Sequence, residues 1–208
     1  NDKFCKRNHL NMKTLAFISY SRKDKSVAHW LHSKLEKYPY PKVSISIENR
    51  PPDKKYLRPI FIDVKDLSVD EHPFSEKIKA ALRDSRFLIL ICSKHSVCSE
   101  FVNKEVTYFL EVHNFDYSKI VPMFIDNVDD NVPPSISKSS VMQRHFPIYT
   151  TTLSEKSEAN TYCFYQIAAY LLGIDFSYLY NRYENYAAKR KKKHYMYVGI
   201  FVLSLILI

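Results

Sequence analysis

The sequence predicts an α/β protein built on a parallel, doubly wound sheet of about five strands with helices on both faces. Three observations carry this expectation. Short apolar runs of strand length recur at 14–19, 59–62, 86–92, 119–125 and 145–149, and helix-period segments separate most of them. The 208 residues are 46% hydrophobic and 14% aromatic, enough to bury a proper core in one domain with tails. Internal repeats are absent, which leaves solenoids aside.

In chain order, residues 1–12 are polar and basic without periodicity and read as an extension, with Met12 a candidate start. The first strand is followed by a polar turn in which Asp24 or Ser26 can cap a helix over 25–37 that turns Val27, Trp30, Leu31 and Leu35 inward. Residues 38–58 are punctuated by Pro39, Pro41, Pro51 and Pro52 and read mainly as loop, with an edge strand possible at 43–47. The second strand leads through a charged loop, 63–73, into an amphipathic helix over 74–84 carried by Ile78, Ala81 and Leu82. The third strand is followed by the organising stretch 93–111. In the fourth, Pro122 suggests an outer position or a bulge. A loop rich in Asp, Ser and Pro covers 126–143, and the short fifth strand precedes a helix over 159–172 that Gly173 stops. Helix resumes over 176–192. The domain is therefore expected at 13–172, a basic helical linker at 173–193, and at 194–208 the uncharged start of a membrane-spanning helix. The positive-inside tendency would hold the basic run 189–193 on the cytoplasmic side.

Composition excludes several functions. The formal charge of +9 is concentrated at the ends: the run 189–193 carries five charges, and Lys3, Lys6 and Arg7 against Asp2 carry two more, which leaves +2 for residues 12–188. A nucleic-acid-binding face is not expected on so neutral a body. Gly173 and Gly199 are the only glycines, so a P-loop and a G-x-G-x-x-G fingerprint are ruled out. Cys5, Cys92, Cys98 and Cys163 have no C-x-x-C spacing, and the eight histidines are scattered, so no metal site is expected. Cys92 reads as core and Cys98 as a loop thiol. A reducing cytosolic setting fits.

The stretch 93–111 follows the most apolar strand and enters an amphipathic helix. Phe101, Glu105 and Phe109 fall on one line by i, i+4, i+8, beside a core stripe of Val102, Val106, Phe109 and Leu110. Glu105 is thereby set at the edge of an apolar face just past the carboxyl end of a strand, where open α/β sheets bind ligands. The plainer role for such a glutamate is a solvated residue favoured by the helix dipole.

Four segments in this order, Phe17-Ile-Ser-Tyr-Ser-Arg-Lys-Asp24, Ile60-Phe-Ile-Asp-Val-Lys-Asp-Leu67, Ser93-Lys…Phe101-Val-Asn-Lys-Glu105 and Ile120-Val-Pro-Met-Phe-Ile-Asp126, resemble a Toll/interleukin-1 receptor (TIR) domain of the bacterial branch. The resemblance covers about residues 14–172 and implies a flavodoxin-like sheet. It implies an enzyme that cleaves the nicotinamide–ribose bond of NAD+, giving nicotinamide and ADP-ribose or a cyclic isomer, in antiphage defence signalling. Glu105 matches the family's catalytic glutamate, four residues after the aromatic Phe101. Tyr20, Arg22, Phe74 and Phe101 are then the residues expected to border the substrate. NAD+ is then a substrate, with no cofactor or metal implied. Self-association through TIR surfaces is implied too, the loop 63–73 completing a neighbour's site, as is a cytoplasmic domain held at the membrane by the C-terminal segment. The alternative is a non-enzymatic TIR interaction module, which has no need of a carboxylate at this spacing. A phospho-receiver is set aside, because Ser19 and Cys92 stand where it needs acids.

The chemistry suits the residues. Breaking an N-glycosidic bond develops positive charge on the ribose, and a carboxylate beside it stabilises that charge. Burial against Phe101 is expected to raise the pKa of Glu105.

Overall fold

The computed structural model describes residues 13–39, 41, 45–46, 49–53, 55–63, 74–125, 132–136, 146–148 and 158–206. Strand β1 (Thr14–Ser19) leads through a 3-10 turn (Arg22–Asp24) into α1 (Lys25–Glu36). Then come β2 (Ile60–Ile62), α2 (Glu76–Asp84), β3 (Ser85–Cys92), the one-turn α3 (Lys94–Val97) and α4 (Glu100–Val112). The chain continues through β4 (Ile120–Ile125), β5 (Phe146–Ile148), α5 (Glu158–Leu172) and α6 (Phe176–Ile206).

The five strands form one sheet in the order β2-β1-β3-β4-β5, every pair parallel. That is the flavodoxin-like order, and the chain reverses its winding direction between β1 and β3. Both faces are covered, as a parallel sheet requires. Ala16, Ile18, Ile89, Ile91, Val121 and Met123 pack toward α1 and α5, while Phe17, Leu88, Leu90, Cys92, Ile120 and Phe124 pack toward α2 and α4. The strand period of two makes this division. Ser19, two residues after Phe17, therefore lies on the α4 side.

Several details differ from expectation. Proline 122 is not on an outer strand, because β4 lies between β3 and β5. Among the described residues its register partner is Leu90 of β3, and β5 pairs from Met123 onward. Helix α2 starts at Glu76, with Ser75 at its N-cap position, and leaves Phe74 outside the helix. On α1 the buried residues are Val27, Ala28, Leu31 and Leu35, and Trp30 is only half-buried. The loop stretches 64–73, 126–131 and 137–145, and most of the possible strand at 43–47, lie outside the described residues, as does the N-terminal extension.

Helix α5 ends in a Schellman turn: Ile174 N–H donates to the Ala169 carbonyl and Gly173 N–H to that of Tyr170, both at 3.1 Å, with Gly173 at φ +61°. Helix α6 then runs unbroken through the expected linker and the basic run into the apolar segment, since no proline interrupts 176–206. The expected membrane span from 194 is not borne out: no helix among the described residues is long and apolar enough to cross a membrane. Among the described residues, a window of spanning length takes in the charged residues of the basic run 189–193.

Candidate active site

Construction of the site begins with α4. Ser99 caps it, its Oγ accepting from Val102 N–H at 3.4 Å, and Glu100 pairs with Lys104 on the solvent side. The opposite side buries Val102, Val106, Phe109 and Leu110 against the sheet. Along the line Phe101, Glu105, Phe109 the exposure falls from 39% to 9% to zero, so the line runs from open solvent at the carboxyl edge down into the core. Glu105 sits at the step between them. Its Oε2 accepts a 2.5 Å hydrogen bond from Ser19 Oγ, at the last residue of β1. Ser19 is itself fully buried.

Burial dominates the electrostatics of Glu105. Loss of solvent pushes its pKa up to about 8, the Ser19 hydrogen bond pulls it down, and the charge of Asp63 raises it further. Ser19, at the end of β1, lies directly against Glu105. Phe101, one turn before it on α4, is itself 39% exposed.

Two more contacts tie the same edge together. Ser93, just past β3, donates from Oγ to Asp24 Oδ2 at 2.6 Å, and both residues are buried. The Ser93 Oγ also accepts from His95 and Ser96 N–H, while Ser96 Oγ accepts from Ser93 N–H, a reciprocal capping box that starts α3. On the other flank, Tyr20 Oη donates to the Asp63 carbonyl at 2.7 Å, joining the ends of β1 and β2. Asp24, Asp63 and Glu105 thus all follow the carboxyl ends of β1, β2 and β3, on the edge where the winding reverses. In doubly wound sheets that crevice is the ligand site.

A TIR-domain family model matches residues 16–160 of this chain. The chain belongs to the TIR-domain family. Among solved structures, the TIR domains in the activated Roq1 resistosome directly recognising the pathogen effector XopQ are 18% identical to it. That match covers 74% of this chain and 96% of the other, at a TM-score of 0.46. No curated protein matches the chain.

Of the residues singled out in the sequence, the TIR fold brings Tyr20 and Glu105 to the same edge, with Arg22 exposed on the turn that follows Tyr20. Phe101 stands one helical turn before Glu105. Phe74 is set apart: its ring packs edge-on against Tyr108 of α4 at 5.7 Å, with Lys79 Nζ 5.5 Å from its centre. In this structure Phe74 is a packing residue between α2 and α4. Asp24 occupies the N-cap position of α1 without a side-chain capping bond, because its carboxylate is directed to Ser93 instead.

Sequence reasoning missed Ser19, Asp63 and Ser93 as parts of this edge. Ser19 had a usable signal, since strand alternation from Phe17 points it to the face that the Glu105 helix covers. The contact between Ser93 and Asp24 spans 69 residues and had none. Among the described residues no group of three His, Cys, Asp or Glu side chains is arranged to hold a metal ion. A cleft of about 510 Å³ lined by Arg86, Phe87, Lys119 and Tyr170 lies at the amino end of β3, the opposite edge from Glu105.

Proposed function

We propose that this TIR domain cleaves the nicotinamide–ribose bond of NAD+, with Glu105 as its catalytic carboxylate. One observation carries the reading: a buried carboxyl group, oriented by a hydrogen bond from β1, at the reversal point of the sheet, beside a second acidic residue. Nicotinamide in NAD+ is cationic and leaves as a neutral molecule, taking the electron pair of the C1′–N bond. The positive charge then passes to the ribose ring, where Glu105 stabilises it. Water adds to C1′ and loses a proton, giving ADP-ribose, nicotinamide and a released proton. No general acid is required for so good a leaving group. Without substrate, burial and Asp63 hold Glu105 largely protonated at neutral pH. Bringing the nicotinamide cation beside it favours the ionised form, so binding itself generates the reactive state. Assembly through TIR surfaces accompanies this reading.

The test is Glu105→Gln, which keeps size and removes charge. Turnover of NAD+, followed by release of nicotinamide, should fall by ~10²–10³. Glu100→Gln and Glu111→Gln, on the same helix but off the line, should retain most activity.

A second reading, a non-enzymatic TIR interaction module, is favoured by the burial of Glu105 and its engagement with Ser19, which suit a structural carboxyl group. Wild-type protein that never cleaves NAD+, even when clustered, would establish it.

A further inference from the structure

We infer that Ser19 is a positioning residue, whose hydroxyl holds the Glu105 carboxyl group in one orientation and favours its ionised form. Resting on the NAD+-cleavage reading, it assigns a residue to the readiness of that same site.

The geometry is specific. Ser19 and Glu105 are 86 residues apart, and their side chains meet at 2.5 Å in a fully buried contact. A serine at the last position of β1 is forced onto the α4 side by strand alternation, and α4 packs on β1 where Glu105 projects. A hydroxyl can donate to only one acceptor at a time, and this one donates to Oε2. The carboxyl group therefore has one oxygen committed to β1, which restricts how it can turn. Such a bond also matters for charge, because a donor to the ionised form is what offsets burial.

Charged groups surround this contact unevenly. Asp63, after β2, acts on Glu105 through space and opposes its ionisation. Asp24, in the turn before α1, is engaged by Ser93. On α4 itself Glu100 and Lys104 pair with each other at the surface. Within this set Ser19 is the group placed to favour the anion.

The test compares wild type, Ser19→Ala and Ser19→Thr as full chains labelled with ¹³C-glutamate. The Glu105 carboxyl resonance is identified by its loss in Glu105→Gln. Each protein is titrated by NMR and assayed for NAD+ cleavage across the same pH range. Ser19→Ala should move the Glu105 titration upward by about one pH unit or more and shift the acidic limb of the rate profile with it. At neutral pH that leaves roughly tenfold less active form, and Ser19→Thr, which restores a hydroxyl, should recover most of it. An unmoved Glu105 titration in Ser19→Ala overturns the assignment, whatever the rate does. A titration that moves in a wild type that never cleaves NAD+ upholds the Ser19 contact and overturns the catalytic reading, so the two failures are distinct.

Discussion

Glu105 is nine-tenths buried, and the free energy of that burial depends on pH. Its pKa rises from 4.5 to about 8 on folding. Below the unfolded value both states are protonated, and the folded state has no handicap. As pH climbs past it, the unfolded chain ionises and the folded one does not, so stability is lost until the folded pKa is passed, after which the loss is constant. Glu105→Gln has no such dependence. Urea midpoints of wild type and variant should therefore agree near pH 4 and diverge in the variant's favour up to about pH 8, by at most roughly 1.4 kcal/mol per pH unit. Parallel curves would show that Glu105 is not buried in this way. Catalysis runs the other way, since it needs the anion. For the wild type, kcat/KM should rise with pH through about 8, the value of the free protein. The limb for kcat should lie at lower pH, because bound nicotinamide carries a positive charge. Coincident limbs would count against a cation beside Glu105.

At the scale of elements, single side chains decide where helices begin and end. Ser93 serves two helices' surroundings at once, capping α3 and holding the Asp24 carboxylate before α1. Ser93→Ala removes one hydrogen bond from each of two backbone N–H groups and from a buried acid. It should lower stability by about 1–3 kcal/mol in denaturant melts, and a shift of a few tenths would mean that water replaces the hydroxyl. Gly173 is required for two reasons. Its φ of +61° is unfavourable for an L side chain, and an added Cβ would come 2.0 Å from Asn49 Nδ2. Gly173→Ala should destabilise by about 1–3 kcal/mol. Pairing it with Asn49→Ala should return the steric part and leave the backbone part, so full recovery would show that φ contributes nothing.

For the whole molecule, the sheet separates two apolar layers. The first lies under α1 and α5, and the second under α2 and α4. The carboxyl edge belongs to neither completely, and this is how Glu105 can be buried yet sit one turn from solvent. Helix α6 joins the first layer through Leu179 and then leaves it, with residues 188–200 exposed. A chain ending after Ala188 should melt within about 2–4 °C of the full chain, the shift that 1 kcal/mol produces at this size. A larger fall would mean that the basic and apolar part of α6 packs on the domain. If assembly completes the site, specific activity should rise with protein concentration or on clustering. Rates strictly proportional to enzyme over a wide dilution range would refute that part of the proposal.

Much of this molecule follows from local pattern. Period-two apolar runs and 3.6-period stripes are properties of a dozen residues at a time, so the five strands, the helices between them and the stop at Gly173 were legible without coordinates. The placement of Glu105 on the line through Phe101 and Phe109 was equally legible, being helical geometry alone. What local pattern cannot carry is which distant residues meet. The sequence offered Phe101 as the group beside Glu105, and the sheet order, which sets β1 against β3, also brings Ser19 to it. Phe74 meets Tyr108 of α4, a contact that local pattern does not show. Pro122 looked like an outer or bulge residue because a proline cannot donate to a ladder, yet the winding of the chain sets β4 between β3 and β5. Each of these outcomes depends on contacts across tens of residues. Period and composition determine which face of an element is buried; the winding of the chain decides what it is buried against.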